Sequence, residues 1–284
     1  MNPATRRELR LLTYLAPGIP LELFEAIRRH LEDALELCVR LDSRSDVSAP
    51  RPDEPDPFSG DEADVGFLCS PGYFWLSERA PPAVFLVPAA FLFDDPRCAG
   101  RPVYFADLVV RREHPARALA DLLGARWAYN DACSLSGYFS VLQTLLGMGA
   151  DASFFSASIA SGSHDEALRA VREGRADCAA IDSNMLVLAR ASDPRLERDL
   201  RVLESFGPYP VQPIVVRAGV PPMLRHALAR ALLTLHEDEL GRRELERHGV
   251  LRFVQVSEAD YALERRLHAA CAERIETTSA EAVT

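Results

Sequence analysis

Two short stretches of this chain set hydroxyl side chains and a glycine at the point where a helix should begin. One is Asn130-Asp131-Ala132-Cys133-Ser134-Leu135-Ser136-Gly137-Tyr138, followed by the apolar run from Phe139 to Met148. The other is Ser161-Gly162-Ser163-His164-Asp165-Glu166, followed by Ala167 to Glu173. A helix start leaves its first backbone N–H groups unpaired and carries the positive end of the helix dipole, which suits an oxyanion. Ser134 and Ser136 can cap the helix or touch an anion, because both tasks use the same geometry. Ser163 with Glu166 has the spacing of a capping box and reads as structural. His164 falls in the first helical turn, where the dipole disfavours an imidazolium, and reads as a neutral donor. The two starts are expected to converge on one small anionic ligand.

Composition removes several chemistries. All 32 basic residues among the 284 are arginine, so there is no P-loop lysine, no Schiff-base lysine and no lysine nucleophile. A net charge of -10 argues against nucleic-acid binding. It leaves room for an anionic ligand held by local dipoles. The six cysteines, at 38, 69, 98, 133, 178 and 271, show no C-x-x-C spacing and no His/Cys cluster. Neither metal nor cofactor is expected, and the thiols read as reduced. Ser, His and Asp together raise a hydrolase reading, but no G-x-S-x-G elbow is present and both serines sit where binding is better served. The apolar run Leu11–Ala16 is too short for a signal core, and no run of ~18 apolar residues spans a membrane. The expectation is a cytoplasmic protein as written, without direct membrane insertion, or a periplasmic one in a mature form whose export signal has been removed.

The elements that must position these residues follow from periodicity. Leu21–Leu35 has Leu21, Phe24, Ile27, Leu31 and Leu35 on one helical face. Short apolar strands are predicted at 9–16, 37–41, 63–69, 84–93 (interrupted by Pro88), 102–111, 125–129, 153–160, 177–182, 200–204, 211–217 and 251–256. Helices are predicted at 70–78, 116–123, 139–146, 164–173, 221–237, 241–248 and 258–274. Strands alternating with helices indicate an α/β fold with a largely parallel sheet. Tyr14, Ser70, Asn130 and Asp182 fall at predicted strand ends, where ligands of such folds sit. Tyr138 and Tyr14 are the aromatics expected to wall a pocket. Asp182 reads either as a turn residue or as a partner for an amine or hydroxyl on the ligand.

The ordered set Ala128-Tyr129-Asn130, Ser134-Leu135-Ser136-Gly137-Tyr138, Gly162-Ser163-His164-Asp165, Ala176-Asp177 and Ala180-Ile181-Asp182 resembles the phosphate/phosphonate-binding, PhnD-like proteins of ABC importers. These are a branch of the type 2 periplasmic-binding-protein superfamily. Tyr14-x-x-Pro17-Gly18 and Ala63-Asp64-Val65-Gly66 fit the same pattern. The resemblance spans roughly residues 9–260 and is strongest over 127–184. It implies two α/β lobes joined by two crossing segments, with a ligand cleft between them. Residues 1–107 and 213–284 would form lobe 1, and 108–212 lobe 2. It also implies that Ser134, Ser136, Gly137 and His164 line an oxyanion pocket and that Asp182 meets the variable part of the ligand. Tyr14 and the Ser70–Tyr73 turn would come from the opposite lobe. The implied function is to bind phosphate, a phosphonate or a similar oxyanion as the substrate-binding component of an ABC-type transport system. The protein would be a non-enzymatic monomer that meets an ABC permease. A cytoplasmic ligand-sensing or partner-binding module of the same fold stands beside it as the alternative reading.

Overall fold

Val65–Phe67 and Cys178–Asp182 are short, wholly buried strands, and each is the middle strand of a five-stranded sheet. The computed structural model describes residues 8–16 and 18–281, with side chains through Glu273. Pro17 of the Tyr14-x-x-Pro17-Gly18 pattern and the N-terminal residues through Arg7 lie outside the described residues.

In chain order the strands are β1 (Glu8–Thr13), β2 (Cys38–Ser43), β3 (Val65–Phe67), β4 (Val84–Leu86), β5 (Ala90–Phe93), β6 (Val103–Arg111), β7 (Arg126–Tyr129), β8 (Ala157–Ala160), β9 (Cys178–Asp182), β10 (Leu200–Pro210), β11 (Ile214–Arg217) and β12 (Val250–Val254). The helices are α1 (Leu21–Leu35), α2 (Ser70–Glu78), α3 (Ser140–Gly147), α4 (His164–Arg172), α5 (Ser183–Ser192), α6 (Arg195–Asp199), α7 (Pro222–Thr234), α8 (Glu239–Arg247) and α9 (Glu258–Glu281).

The chain divides into two compact units. One takes the residues up to Val103 with Pro210–Glu258, and the other takes Tyr104–Tyr209 with the chain from Ala259 onward. The chain therefore passes between units near 103, 209 and 258. The sequence reading gave everything from 213 onward to the first lobe, whereas α9 groups with the second unit. There Tyr261 and Cys271 are buried, and the His268 ring meets Phe139 edge-on at 4.3 Å.

The sheet orders are β2-β1-β3-β11-β4 in the first unit and β10-β6-β9-β7-β8 in the second. Read from opposite ends, they share one plan. β1 runs parallel to β2 and β3, as β7 does to β8 and β9. β11 is antiparallel to β3, as β6 is to β9. The sheets are thus mixed where a largely parallel sheet was expected. A returning strand brings in an antiparallel neighbour that hydrophobic pattern cannot distinguish from a parallel one.

The first unit has a further antiparallel pair, β5 with β12, whose Phe91 and Phe253 rings lie 4.7 Å apart. β4 and β5 were expected as one interrupted strand. Pro88 has no N–H to give a ladder, and the two halves enter different sheets. The helix expected over 116–123 is a single 3-10 turn at Leu119–Leu122. There the Asp121 carboxylate accepts from Arg117 N and Ala118 N at 2.8 and 3.1 Å and closes the turn locally. The strand expected to stop at 204 continues to Pro210, and α5 and α6 were not foreseen.

One local device recurs in both units. Asp64, just before β3, accepts from Arg10 N and Nε at 3.0 Å and from Arg10 Nη2 at 3.2 Å. Asp177, just before β9, accepts from Arg126 N, Nε and Nη2 at 2.9, 3.0 and 2.8 Å. In return, Asp64 N donates to Arg10 O and Asp177 N to Arg126 O. Arg217 Nη2 adds a contact to Asp64 at 2.9 Å.

Burial raises the Asp64 carboxyl, but the hydrogen bonds from Arg10 and Arg217 outweigh it and leave the group below its ordinary value. A depressed carboxyl stabilises the fold above its unfolded value of about 3.9, and that stability is lost as pH falls through the lower folded value. Asp64→Ala should lower the unfolding free energy by about 3 kcal/mol at neutral pH, because it removes the carboxylate that Arg10 clasps and leaves Arg217 with Asp61 alone. In urea titrations, the gap between wild type and variant should shrink as the pH drops below about 4. An unchanged neutral-pH midpoint would remove the clasp from the account of this fold.

Candidate functional site

The second unit gathers its polar residues at the C-terminal ends of parallel β7, β8 and β9. β7 delivers Asn130, β8 leads through Ser161 and Gly162 to α4, and β9 ends in Asp182. Gly162 N donates to Asn130 O at 2.8 Å, and Ser161 N to Tyr129 O at 2.8 Å, which ties the start of α4 to the end of β7. The turn at Leu135–Phe139 packs against β9, and α4 against β7 and β9.

That turn is π-type, a form often found at functional sites. Phe139 N reaches back to Ser134 O at 3.1 Å. Ser134 is its cap, with Oγ accepting from Gly137 N at 3.1 Å. Ser163 likewise caps α4 by accepting from Glu166 N at 3.1 Å. Each cap satisfies one of the first N–H groups and leaves the others of a helix start to be paired elsewhere.

Ser136 and His164, 28 positions apart in sequence, meet in the fold. Ser136 Oγ lies 3.3 Å from His164 Nε2, and both residues are buried. Burial pushes the His164 imidazole down to about 4, so it is neutral in physiological conditions. Its Nδ1 is buried without a hydrogen-bond partner. Gly137 sits between these groups and Asn130. A Cβ added to it would lie 1.8 Å from Asn130 Oδ1 and 3.3 Å from His164 Cε1, so glycine is required by close approach. Tyr138 is half-buried, stacks on Trp127 at 5.5 Å and touches Tyr129 at 4.9 Å. Its hydroxyl is raised by burial.

Of the two readings of Asp182, the geometry matches the turn residue, and it adds a helix cap that the sequence reading did not name. Its Oδ1 accepts from Asn184 N and Met185 N at 2.8 and 3.4 Å and caps α5. The signal was present, since Asp before Ser-Asn and an apolar run is a helix start. Asp131 was also missed. It accepts from Asn130 Nδ2 at 2.9 Å and from Cys133 N at 2.8 Å, and so orients the Asn130 amide.

Asn130, Ser134, Ser136, Gly137, Tyr138, His164 and Asp182 are therefore brought to one sheet edge. None of them is a cation near neutral pH. Tyr14, Ser70 and Tyr73 belong to the first unit, beyond the ends of β1 and β3, at places equivalent to the ends of β7 and β9. Tyr14 is buried, its hydroxyl lies 3.4 Å from Arg44 Nη1, and burial raises it to about 12. Ser70 opens α2 with its Oγ buried and without a hydrogen-bond partner. Tyr73 is fully buried and donates to Glu258 Oε1.

The family model described as the periplasmic phosphonate substrate-binding protein of an ABC transporter matches residues 18–261. Among solved structures, the chain is similar to PhnD1 from Prochlorococcus marinus in complex with methylphosphonate. That match has a TM-score of 0.77 at 14% identity and covers 93% of this chain and 97% of that one. It is also similar to the binding protein component of an ABC phosphonate transporter from Pseudomonas aeruginosa, with a TM-score of 0.74 at 15% identity over 94% and 87% of the two chains. A Xanthomonas citri protein bound to chloride gives 0.73 at 18% identity over 95% and 99%. These likenesses show the two-lobed periplasmic-binding-protein fold. No curated protein matches the sequence.

Gly137→Ala should lower the unfolding free energy by about 1–3 kcal/mol, the usual cost of overpacking. At Gly147, an added Cβ would meet nothing within 4 Å, and Gly147→Ala should be neutral or stabilise by up to about 1 kcal/mol. Equal effects in a paired denaturation experiment would show that the Asn130 contact imposes no constraint.

Proposed function

The chain belongs to the phosphonate-binding family of periplasmic substrate-binding proteins of ABC transporters, and from that premise we propose that the cluster at the end of β7–β9 binds a small phosphorus oxyanion. The family is one of substrate-binding components, not of enzymes. We place the protein's work in the periplasm, delivering its ligand to an ABC permease. Among the described residues, no helix is long and apolar enough to cross a membrane.

The observation that carries the reading is the Ser136–His164 contact, which brings two separate helix starts to one point. The backbone N–H groups of the 135–139 turn and of the first turn of α4 would donate to the oxyanion, together with one proton from the Ser136–His164 pair, whose mutual hydrogen bond uses the other. Ser134 and Gly137 hold the turn that presents them, and Tyr138 walls the site. Helix dipoles replace the lysine that the chain lacks. Tyr14, Ser70 and Tyr73 of the first unit stay in the proposal as ligand-contacting groups. For Ser70 the support is its unpartnered buried hydroxyl.

A thermal-shift screen with phosphate, phosphite, methylphosphonate, aminoethylphosphonate, sulfate and taurine tests the reading. A true ligand at 100 times its Kd should stabilise the protein by about 2.7 kcal/mol. Ser136→Ala and His164→Ala should each weaken that ligand roughly tenfold, the loss of about one hydrogen bond. A flat screen would sink the proposal, and wild-type affinity in both variants would move the site elsewhere.

A further inference from the structure

The cradle contains an acceptor as well as donors. Asn130 Nδ2 lies 2.9 Å from Asp131 Oδ2. A carboxylate only accepts, so the amide nitrogen must face Asp131 and Asn130 Oδ1 must face the other way. That oxygen is buried against Gly137 and has no hydrogen-bond partner. An unpaired buried acceptor is costly, and the group that satisfies it must bring a hydrogen. A fully ionised oxyanion has none to bring.

The charges around the cradle point the same way. The ionisable groups at the strand ends and helix starts that build it are Tyr129 at the end of β7, Asp131 and Cys133 in the following loop, Tyr138 in the π-type turn, His164, Asp165 and Glu166 in the first turn of α4, and Asp182 at the end of β9, with His268 and Cys271 of α9 packed against the turn. Asp131 and Asp182 are buried carboxylates and Asp165 is exposed. The arginines of these elements lie at their other ends and are paired there: Arg126 opens β7 and holds Asp177, and Arg169 and Arg172, in the last turn of α4, hold Glu166 and Asp193. Donor dipoles can balance one negative charge here, whereas a second would face carboxylates without a counter-ion.

Resting on the oxyanion reading above, we propose that the site takes its ligand as the singly charged, proton-bearing phosphonate, whose P–OH donates to Asn130 Oδ1. The donors around Ser136 and His164 receive the ionised oxygens. The acceptor then separates a phosphonate monoanion from a sulfonate of equal charge, which carries no proton to donate. It also separates the monoanion from its own dianion.

The test is calorimetric titration with methylphosphonate and methanesulfonate from about pH 5.5 to about pH 9, a window that includes the second ionisation of a phosphorus oxyacid. His164 is lowered to about 4 and does not titrate within that window. Methanesulfonate keeps its single charge throughout and reports any ionisation of the protein itself. Relative to it, methylphosphonate affinity should hold below the ligand's second ionisation. Above it, the affinity should fall roughly tenfold per pH unit, in step with the monoanion fraction. At about pH 6 methylphosphonate should bind at least tenfold tighter than methanesulfonate, and Asn130→Ala should collapse that ratio.

A flat or rising phosphonate affinity across the ligand's ionisation, or a preference for the sulfonate, would overturn the proposal while leaving oxyanion binding intact. Binding of neither probe would overturn the oxyanion reading together with it. If Asn130→Ala does not fold, the wild-type pH series decides alone.

Discussion

A carboxylate clasped by one arginine sets the register of both sheets. Asp64, which takes Arg217 of β11 as well, and Asp177 each take both the backbone N–H and the guanidinium of one arginine on the neighbouring parallel strand. The bond from the aspartate's own N–H to that arginine's carbonyl closes the pair into a ring. Leu11 then lies opposite Val65, and Trp127 opposite Cys178. A slip of one residue would turn every buried side chain of a three- or five-residue central strand to the wrong face. Only arginine, with its planar fork, can satisfy a carboxylate in this bidentate way while its own N–H does the same. The clasp lies at the start of the strands, so what it aligns is their far ends, where the polar residues emerge.

At that far edge the second unit relies on groups that carry no positive charge. Ser134, Ser163 and Asp182 each satisfy a helix start from within the chain. The caps make the starts rigid without consuming all of their N–H groups. What remains unsatisfied is informative. Asn130 Oδ1 and His164 Nδ1 are buried and unpaired, each at a cost of about 1–3 kcal/mol that a ligand can relieve. Such groups persist where a fold trades stability for recognition. The shared plan of the two sheets sharpens this. α5, after β9, is closed by an aspartate, whereas α2, after the equivalent β3, has no side-chain cap and leaves the Ser70 hydroxyl unpartnered.

Much of the local geometry of the candidate site was legible in the sequence. The S-x-S-G and G-S-H-D turns announce helix starts because capping acts within four residues of the chain. The extent of α1, Leu21–Leu35, follows from its 3.6-residue period. The chemistry also narrowed early, since an all-arginine basic set excludes lysine-based catalysis outright. Asp182 marks where this reasoning stopped. The same residue type serves a turn, a ligand or a cap, and α5 had to be present before the cap could be recognised.

The sequence by itself determined the local devices: which segments turn, which helices start at Ser134 and Ser163, and which residues could meet an anion. Tertiary structure alone decided who pairs with whom. Pro88 marks a break in an apolar run, but only the folded chain sends β4 to one sheet and β5 to another. The same holds for the antiparallel strands β6 and β11, for the grouping of α9 with the second unit, and for the meeting of Ser136 with His164 across 28 residues. The reason is physical. Caps and helical periods are set by neighbours a turn away, whereas strand pairing and site assembly are settled by burial shared among segments far apart in the chain.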